Sequence, residues 1–236
     1  MYKRLFLLVM VAFLGVQSLS AQNDVTPYTT DKNAEAKPVI FRDRLIMDIF
    51  HSFWMGMPSQ VNYKKFDPGF NISAMWDFQI KKKPLSFGLG VGVTYHTQSS
   101  NALLLYDKAS DMMKYNVLPS AVSYNLLKMN YLSVNIPLEF RYRHENGFKF
   151  SVGARIGLIA EVSQKYKGQD YTTATDTIMV KNLRMENKLK YNVDVYTRIG
   201  WKFVDVYYSF QATPLFEAGK GPKIYPMSVG ISLSIF

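Results

Sequence analysis

Between Lys188 and Phe210 the chain alternates apolar and polar side chains with few interruptions. Leu189, Tyr191, Val193, Val195, Thr197, Ile199, Trp201 and Phe203 hold one phase, and Lys190, Asn192, Asp194, Tyr196, Arg198 and Lys202 hold the other. A period of two is that of a β-strand, whose successive side chains point to opposite faces. After Phe203 the phase inverts, with Val204, Val206, Tyr208 and Phe210 forming the apolar set, so a tight turn joins two strands in a hairpin. The apolar face runs for about ten residues without a charge and is tipped with aromatics, while the other face carries Asp194, Arg198 and Lys202. A soluble sheet buries its apolar face and hydrates the polar one. Apolar side chains outward and charges inward instead suit a barrel that crosses a bilayer.

The same alternation recurs and predicts eight strands: 45–55, 70–80, 85–97, 127–142, 148–163, 188–203, 204–210 and 225–236. The clearest is Phe70–Ile80, with Phe70, Ile72, Ala74, Trp76, Phe78 and Ile80 against Asn71, Ser73, Asp77 and Gln79. In 85–97 the inward phase holds Gly88, Gly90 and Gly92. A phosphate-cradling loop needs its glycines in a turn that opens a helix; alternate glycines on a strand instead relieve crowding inside a narrow barrel. Pro137 lacks a ladder donor and predicts a bulge or a locally open pair, and Asn146-Gly147 is a strong hairpin signal. The connections after strands two, four and six are short and the others long. Outer-membrane barrels place short turns in the periplasm and long loops outside. The expected fold is therefore all-β, a transmembrane antiparallel up-and-down β-barrel of eight strands with both termini periplasmic.

Residues 1–21 read as a secretory signal peptide, with Lys3 and Arg4 ahead of an apolar run from Leu5 to Val16 and a small-residue end at Ser18–Ala21. That run is about twelve residues, short of the roughly 20 a membrane helix requires. Residues 22–44, with two prolines, mixed charge and no period, read as a flexible periplasmic segment, and 45–236 as the barrel. The absence of cysteine excludes disulfides, thiolate zinc sites and thiol nucleophiles. The net charge of +10 is distributed along the chain, and an exported protein does not meet nucleic acid, so nucleic-acid binding is set aside.

With its signal ending Leu19-Ser20-Ala21-Gln22, its barrel region Arg44–Phe236 and its terminal Ser228–Phe236, the chain resembles the small eight-stranded outer-membrane β-barrel proteins of the Bacteroidota, often labelled PorT-like. The resemblance implies an outer-membrane location in a Gram-negative bacterium. Because that family includes a component needed for type IX secretion, it also suggests a part in an envelope complex. The terminal strand is similar to the signal read by the barrel-assembly machinery, except that Phe236 falls on the polar phase.

By phase, the lumen receives Asp48, Asp77, Glu139, Glu161, Asp194 and Asp205 with Arg141, Lys149, Arg155, Lys190, Arg198 and Lys202. Eight strands enclose a space just wide enough for side chains, so these groups are expected to pair and fill it rather than line a pore. Barrel enzymes that modify lipid need a His–Ser pair beside an acid. Here His51 and Ser52 are adjacent and so point to opposite faces, His144 sits in a turn, and His96 could reach Ser99 or Ser100 only through a loop. The three histidines form no metal pattern, and no cofactor is expected. In the loops, Leu103, Leu104, Leu105, Tyr106, Met112 and Met113 form an apolar stretch that is either packed on itself or a partner-contact surface. Lys165, Lys167, Lys181 and Arg184 would favour lipopolysaccharide phosphates. The expectation is a non-enzymatic barrel, structural or accessory to an envelope or secretion complex. Its expected partners are outer-membrane lipid, lipopolysaccharide, the assembly machinery and other envelope proteins. A lipid-modifying enzyme, a small diffusion channel and a soluble lipocalin-type carrier are the alternatives.

Overall fold

A computed structural model describes residues 45–63, 66–80, 84–172 and 179–235. The expected signal peptide, the segment 22–44 and the register of Phe236 lie outside the described residues. Among the described residues there are eleven strands: β1 Leu45–Met55, β2 Pro68–Gln79, β3 Leu85–Ser99, β4 Ala102–Asp107, β5 Met112–Val117, β6 Tyr124–Arg143, β7 Phe148–Gly168, β8 Met179–Arg184, β9 Tyr191–Trp201, β10 Val204–Gln211 and β11 Tyr225–Ile235. The main sheet runs β6-β3-β2-β1-β11-β10-β9-β7-β8, and a further pairing of β6 with β7 closes it. Setting β8 aside, eight antiparallel strands each pair with the next around the ring. Closure removes the open edges that a flat sheet would expose to lipid.

The alternation of side chains fixes which face is which. Val195, Ile199, Val206, Ile231, Ile136 and Phe140 are exposed on the outer wall, whereas Asp48, Asn71, Glu139, Arg155, Asp194 and Arg198 are buried inside. Aromatic residues mark both rims of the apolar band. Trp201, Phe148 and Tyr142 stand near the short turns, and Phe70, Tyr95, Tyr191 and Tyr225 near the long loops. The turn at His144–Gly147 forms as the Asn-Gly signal requires: Gly147 sits at φ 98°, and Asn146 Oδ1 accepts the Phe148 amide at 3.0 Å. The β9–β10 turn is two residues long, with Trp201 opposite Val204 and Lys202 at φ 52°.

Two departures from the sequence reading have local causes. First, β6 and β7 reach 20 and 21 residues, continuing past the band to form a raised wall at the long-loop end. Second, β7 carries a bulge where Leu132 pairs with Glu161 but Ser133 pairs with Ile159, leaving Ala160 as the extra residue. A bulge reverses the phase beyond it, so Val162 points inward and Glu161 outward, opposite to the expectation for both. At Pro137 the expectation holds in its second form, a locally open pair rather than a bulge. The β3–β6 register is unbroken from Leu89↔Leu138 to Gly92↔Asn135, and the two rungs between are open.

Candidate functional site

The interior of the barrel holds the molecule's concentration of charge, and it is built from the middle outward. Arg198 on β9 donates to Asp48 on β1 from Nε at 3.0 Å and from Nη2 at 2.8 Å, and its Nη1 donates to Glu139 on β6 at 2.7 Å. Glu139 also accepts from Tyr196 OH at 3.0 Å and from Arg141 Nε at 3.1 Å. Asp48 accepts from Asn71 Nδ2 at 2.7 Å, and Asn71 joins Thr94 and Asn135 in a chain of side-chain hydrogen bonds across β2, β3 and β6. A charge buried without its partner costs several kcal/mol; here the fork of Arg198 satisfies two carboxylates at once.

Above and below this centre the same logic continues. Arg155 donates to the Tyr207 hydroxyl and to Thr94 Oγ1, and its guanidinium lies 4.5 Å from the centre of the Tyr196 ring. Arg198 covers the same ring at 4.6 Å. Two cations stacked on one aromatic share its negative face. Asp194 accepts from Asn192 Nδ2 at 3.1 Å. Toward the short turns, Asp77 accepts from Arg143 at 2.6 Å and lies 3.7 Å from Arg141, while Lys149 pairs with Asp205 at 3.1 Å. The cavity left among Glu139, Arg141, Lys149, Arg198 and Asp205 is about 10 Å³, the space of a single water at most.

The inward glycines give room to this packing. A Cβ on Gly88 would lie 3.0 Å from Arg141 Cζ, and one on Gly153 would lie 2.7 Å from the Tyr196 hydroxyl. The small residues are therefore occupied by neighbouring long side chains and do not add up to a channel.

The long-loop end is closed by a different chemistry. Trp54, Met129, Tyr131, Ile159 and Val162 point inward from the strands and meet Leu104 and Met113 from the β4–β5 hairpin and Leu215, Phe216 and Ile224 from the β10–β11 connection in one buried apolar cluster. Leu103, Leu118, Leu127 and Tyr166 form a second cluster beside it. The hairpin is pinned over the opening by two of its amides, Leu104 N donating to the Gln164 side-chain Oε1 at 3.0 Å and Met113 N to the Lys220 carbonyl oxygen at 2.8 Å.

Of the residues expected in the lumen, Asp48, Asp77, Glu139, Arg141, Lys149, Arg155, Asp194, Arg198 and Asp205 lie inside, while three lie elsewhere. Glu161 is on the outer wall because of the β7 bulge, Lys190 is exposed in the connection before β9, and Lys202 is exposed in the β9–β10 turn. The expected loop surface is also different. Leu103, Leu104 and Met113 are buried, Leu105 and Met112 are half-buried, and only Tyr106 is largely exposed, so this stretch faces its own barrel. Sequence reasoning missed the cap residues Trp54, Met129, Tyr131, Ile159 and Tyr166. Their signal was the inward phase itself, apolar along the first half of β6 and the second half of β7 and charged along the rest of both.

A Ser–His pair that the sequence did not suggest also forms: Ser52 Oγ lies 3.1 Å from His96 Nδ1, and Trp54 Nε1 donates to Ser52. Both residues are buried, and His96 is held between the rings of Phe50 and Tyr131 at 5.1 and 5.3 Å. Among the described residues no group of histidine and carboxylate side chains is placed to hold a metal ion.

No curated protein matches the sequence. Among the solved structures that align with the chain are two that each cover 81% of it and 96% of the other protein. One is Ail, the attachment invasion locus protein of Yersinia pestis, at 9% identity and TM-score 0.38. The other is Neisserial surface protein A, NspA, at 14% identity and TM-score 0.37. The profile of the family described as outer membrane protein beta-barrel domain matches residues 45–216, which spans seven of the eight barrel strands. The chain thus belongs to the outer membrane protein β-barrel domain family and is a protein of the outer membrane.

Proposed function

We propose that this barrel is a sealed, non-enzymatic subunit, structural or accessory to a larger envelope assembly of the kind that the Bacteroidota resemblance suggests, type IX secretion included. The observation that carries the reading is the double closure of the lumen, by ion pairs around Arg198 at one end and by the apolar cluster around Leu104 and Phe216 at the other. A barrel so filled has neither a conduit nor an open pocket to offer, and what remains for function is its outer wall and its loop crown. In this reading the short turns face the periplasm and the crown faces outward, as the lengths of the connections suggest. The terminal strand β11 serves the barrel-assembly machinery.

Affinity purification from outer membranes, with identification of the co-purifying chains, tests the proposal. Stoichiometric recovery of other envelope proteins supports it, and recovery of the barrel alone contradicts it. The Ser52–His96 pair is the observation that favours a lipid-modifying enzyme. Its burial beneath the cap weighs against that, because a lipid ester would have to displace Trp54 to reach it. Lipid A mass spectra from cells with and without the gene are expected to be the same.

A further inference from the structure

Just beyond the apolar band, the outer wall formed by β3, β6 and β7 carries a polar groove of about 140 Å³, lined by Tyr95, Asn130, Leu132, Glu161, Ser163 and Lys165. That volume is well above the ~10–15 Å³ that one water requires. The groove exists because of the bulge at Ala160. Without the reversed phase, Glu161, Ser163 and Lys165 would point into the barrel and Val162 would continue the greasy surface. Tyr95 OH donates to Asn130 Oδ1 at 2.9 Å and fixes its lower wall at the aromatic rim.

The charge above this floor is arranged in an unusual way. Lys128 on β6 sits directly opposite Lys165 on β7 in the ladder, on the outward phase of both strands. Like charges at directly opposed positions destabilise a sheet. Neither lysine has an ion pair or a side-chain hydrogen bond among the described residues. Lys167 stands one outward position further along β7. Two positions along from Lys165 in the other direction, Ser163 pairs with Arg184 of β8, which brings a fourth basic residue to the same wall. Lys128 lies four residues from Leu132, roughly 13 Å along a tilted strand at ~3.3 Å per residue, which sets it above the aromatic rim marked by Tyr95 and on the headgroup side of the apolar band.

We propose that the Lys128–Lys165 rung and the groove below it bind the phosphate group of a membrane lipid. The headgroup phosphate lies between the two ammonium groups, its polar linkage rests on Asn130 and Ser163, and its acyl chains descend over Leu132, Leu158 and Val134. The opposed lysines then become a site, since an anion placed between them turns their repulsion into two attractions. Glu161 at the lower end of the groove disfavours an anion there and so holds the phosphate at the upper end. The proposal rests only on the barrel's place in the membrane and not on the accessory role argued above.

Native mass spectrometry of the detergent-purified barrel tests it, with bisphosphorylated lipid A, phosphatidylglycerol or inorganic phosphate added as probe. The wild type is expected to retain lipid A, phosphatidylglycerol, or both, while inorganic phosphate, which has no chains to lay on the wall, is not retained. Lys128→Gln/Lys165→Gln, both surface changes, should weaken lipid retention by about fivefold for each lysine removed. Glu161→Gln should strengthen it, and Lys108→Gln on the hairpin tip should leave it unchanged. Whichever of the two lipids responds to the double variant is the source of the phosphate. Equal retention by wild type and the double variant for both lipids would overturn the site, as would equal retention of inorganic phosphate.

Discussion

Arg198 and Asp48, 150 positions apart in the chain, meet across the lumen through two hydrogen bonds of 3.0 and 2.8 Å. The pair joins β9 to β1, strands that are not neighbours in the ring, and through Nη1 of Arg198 it also reaches Glu139 on β6. Three walls of the barrel are thereby tied at one point. Arg198→Met would leave Asp48 and Glu139 buried without that cation, a loss of about 3–5 kcal/mol. Arg198→Lys keeps the charge but not the fork, and is expected to fall between the two. Urea unfolding in lipid vesicles, read by heat-modifiable gel mobility, ranks the three. Equal stability of Arg198→Met and wild type would remove the network from the account of what holds the barrel.

The glycines of β3 separate two kinds of crowding. A Cβ on Gly88 meets Arg141 and Met75 side-chain atoms at 3.0 to 3.1 Å, whereas one on Gly90 meets the Ala74 carbonyl oxygen at 2.3 Å. Side chains can shift and a strand backbone cannot. Gly88→Ala should therefore cost about 1–3 kcal/mol as ordinary overpacking, and Gly90→Ala more, with a reduced yield of folded protein. Refolding yields that fall in the opposite order would contradict this assignment of the lumen's packing.

The cap should be separable from the band. Leu104→Ala removes a side chain that is 2% exposed and is expected to cost about 2–5 kcal/mol, concentrated at the rim. Limited proteolysis should then cut the β4–β5 hairpin sooner while the band-spanning strands keep their heat-modifiable mobility. Loss of both together would mean that the cap and barrel fold as one unit.

Asp111, at the tip of that hairpin, ties it to the β10–β11 connection. It accepts from Lys220, from Tyr106 OH at 2.7 Å and from Asn187 Nδ2 at 3.2 Å. The hydrogen bond from Lys220 is the main cause, followed by those from Tyr106 and Asn187, and together they pull the carboxyl down to about 2. A folded value below the ordinary one, about 3.9, means that the tether is complete above that pH and is lost as pH falls through about 2. Protease sensitivity of the hairpin should thus rise across that window. Asp111→Asn should remove the pH dependence and show raised sensitivity at neutral pH as well.

How much of this was legible before the structure follows from the period of the pattern. Where one phase is apolar and the other polar, as in Val204–Phe210 or Phe70–Ile80, strand and face could both be read. At Ala160 a single extra residue broke the period, and nothing in a run as apolar as Ile156–Val162 marks which residue is the extra one. The misplacement of Glu161, and with it the groove on the outer wall, follows from that one ambiguity. Lys202 was misplaced because a two-residue turn was read as strand, and Lys190 because the alternation already runs ahead of the start of β9. The luminal acids and bases were visible as a set, but their partners were not: the meeting of Asp48 with Arg198 depends on the diameter and stagger of the closed ring. For the same reason the apolar residues 103–106 could be identified as unusual, but not assigned to the barrel's own opening.

The central claim is that the lumen is closed at both ends, and single-channel recording of the folded protein in planar bilayers tests it most directly. With ion pairs across the charged half around a cavity of about 10 Å³ and an apolar cluster across the other opening, no steady ohmic current is expected at any applied potential. The same silence is expected of Leu104→Ala, in which the ion pairs still block the path. A reproducible open-channel conductance from wild-type protein that runs as folded on gels would contradict the closed lumen and make the barrel a diffusion channel.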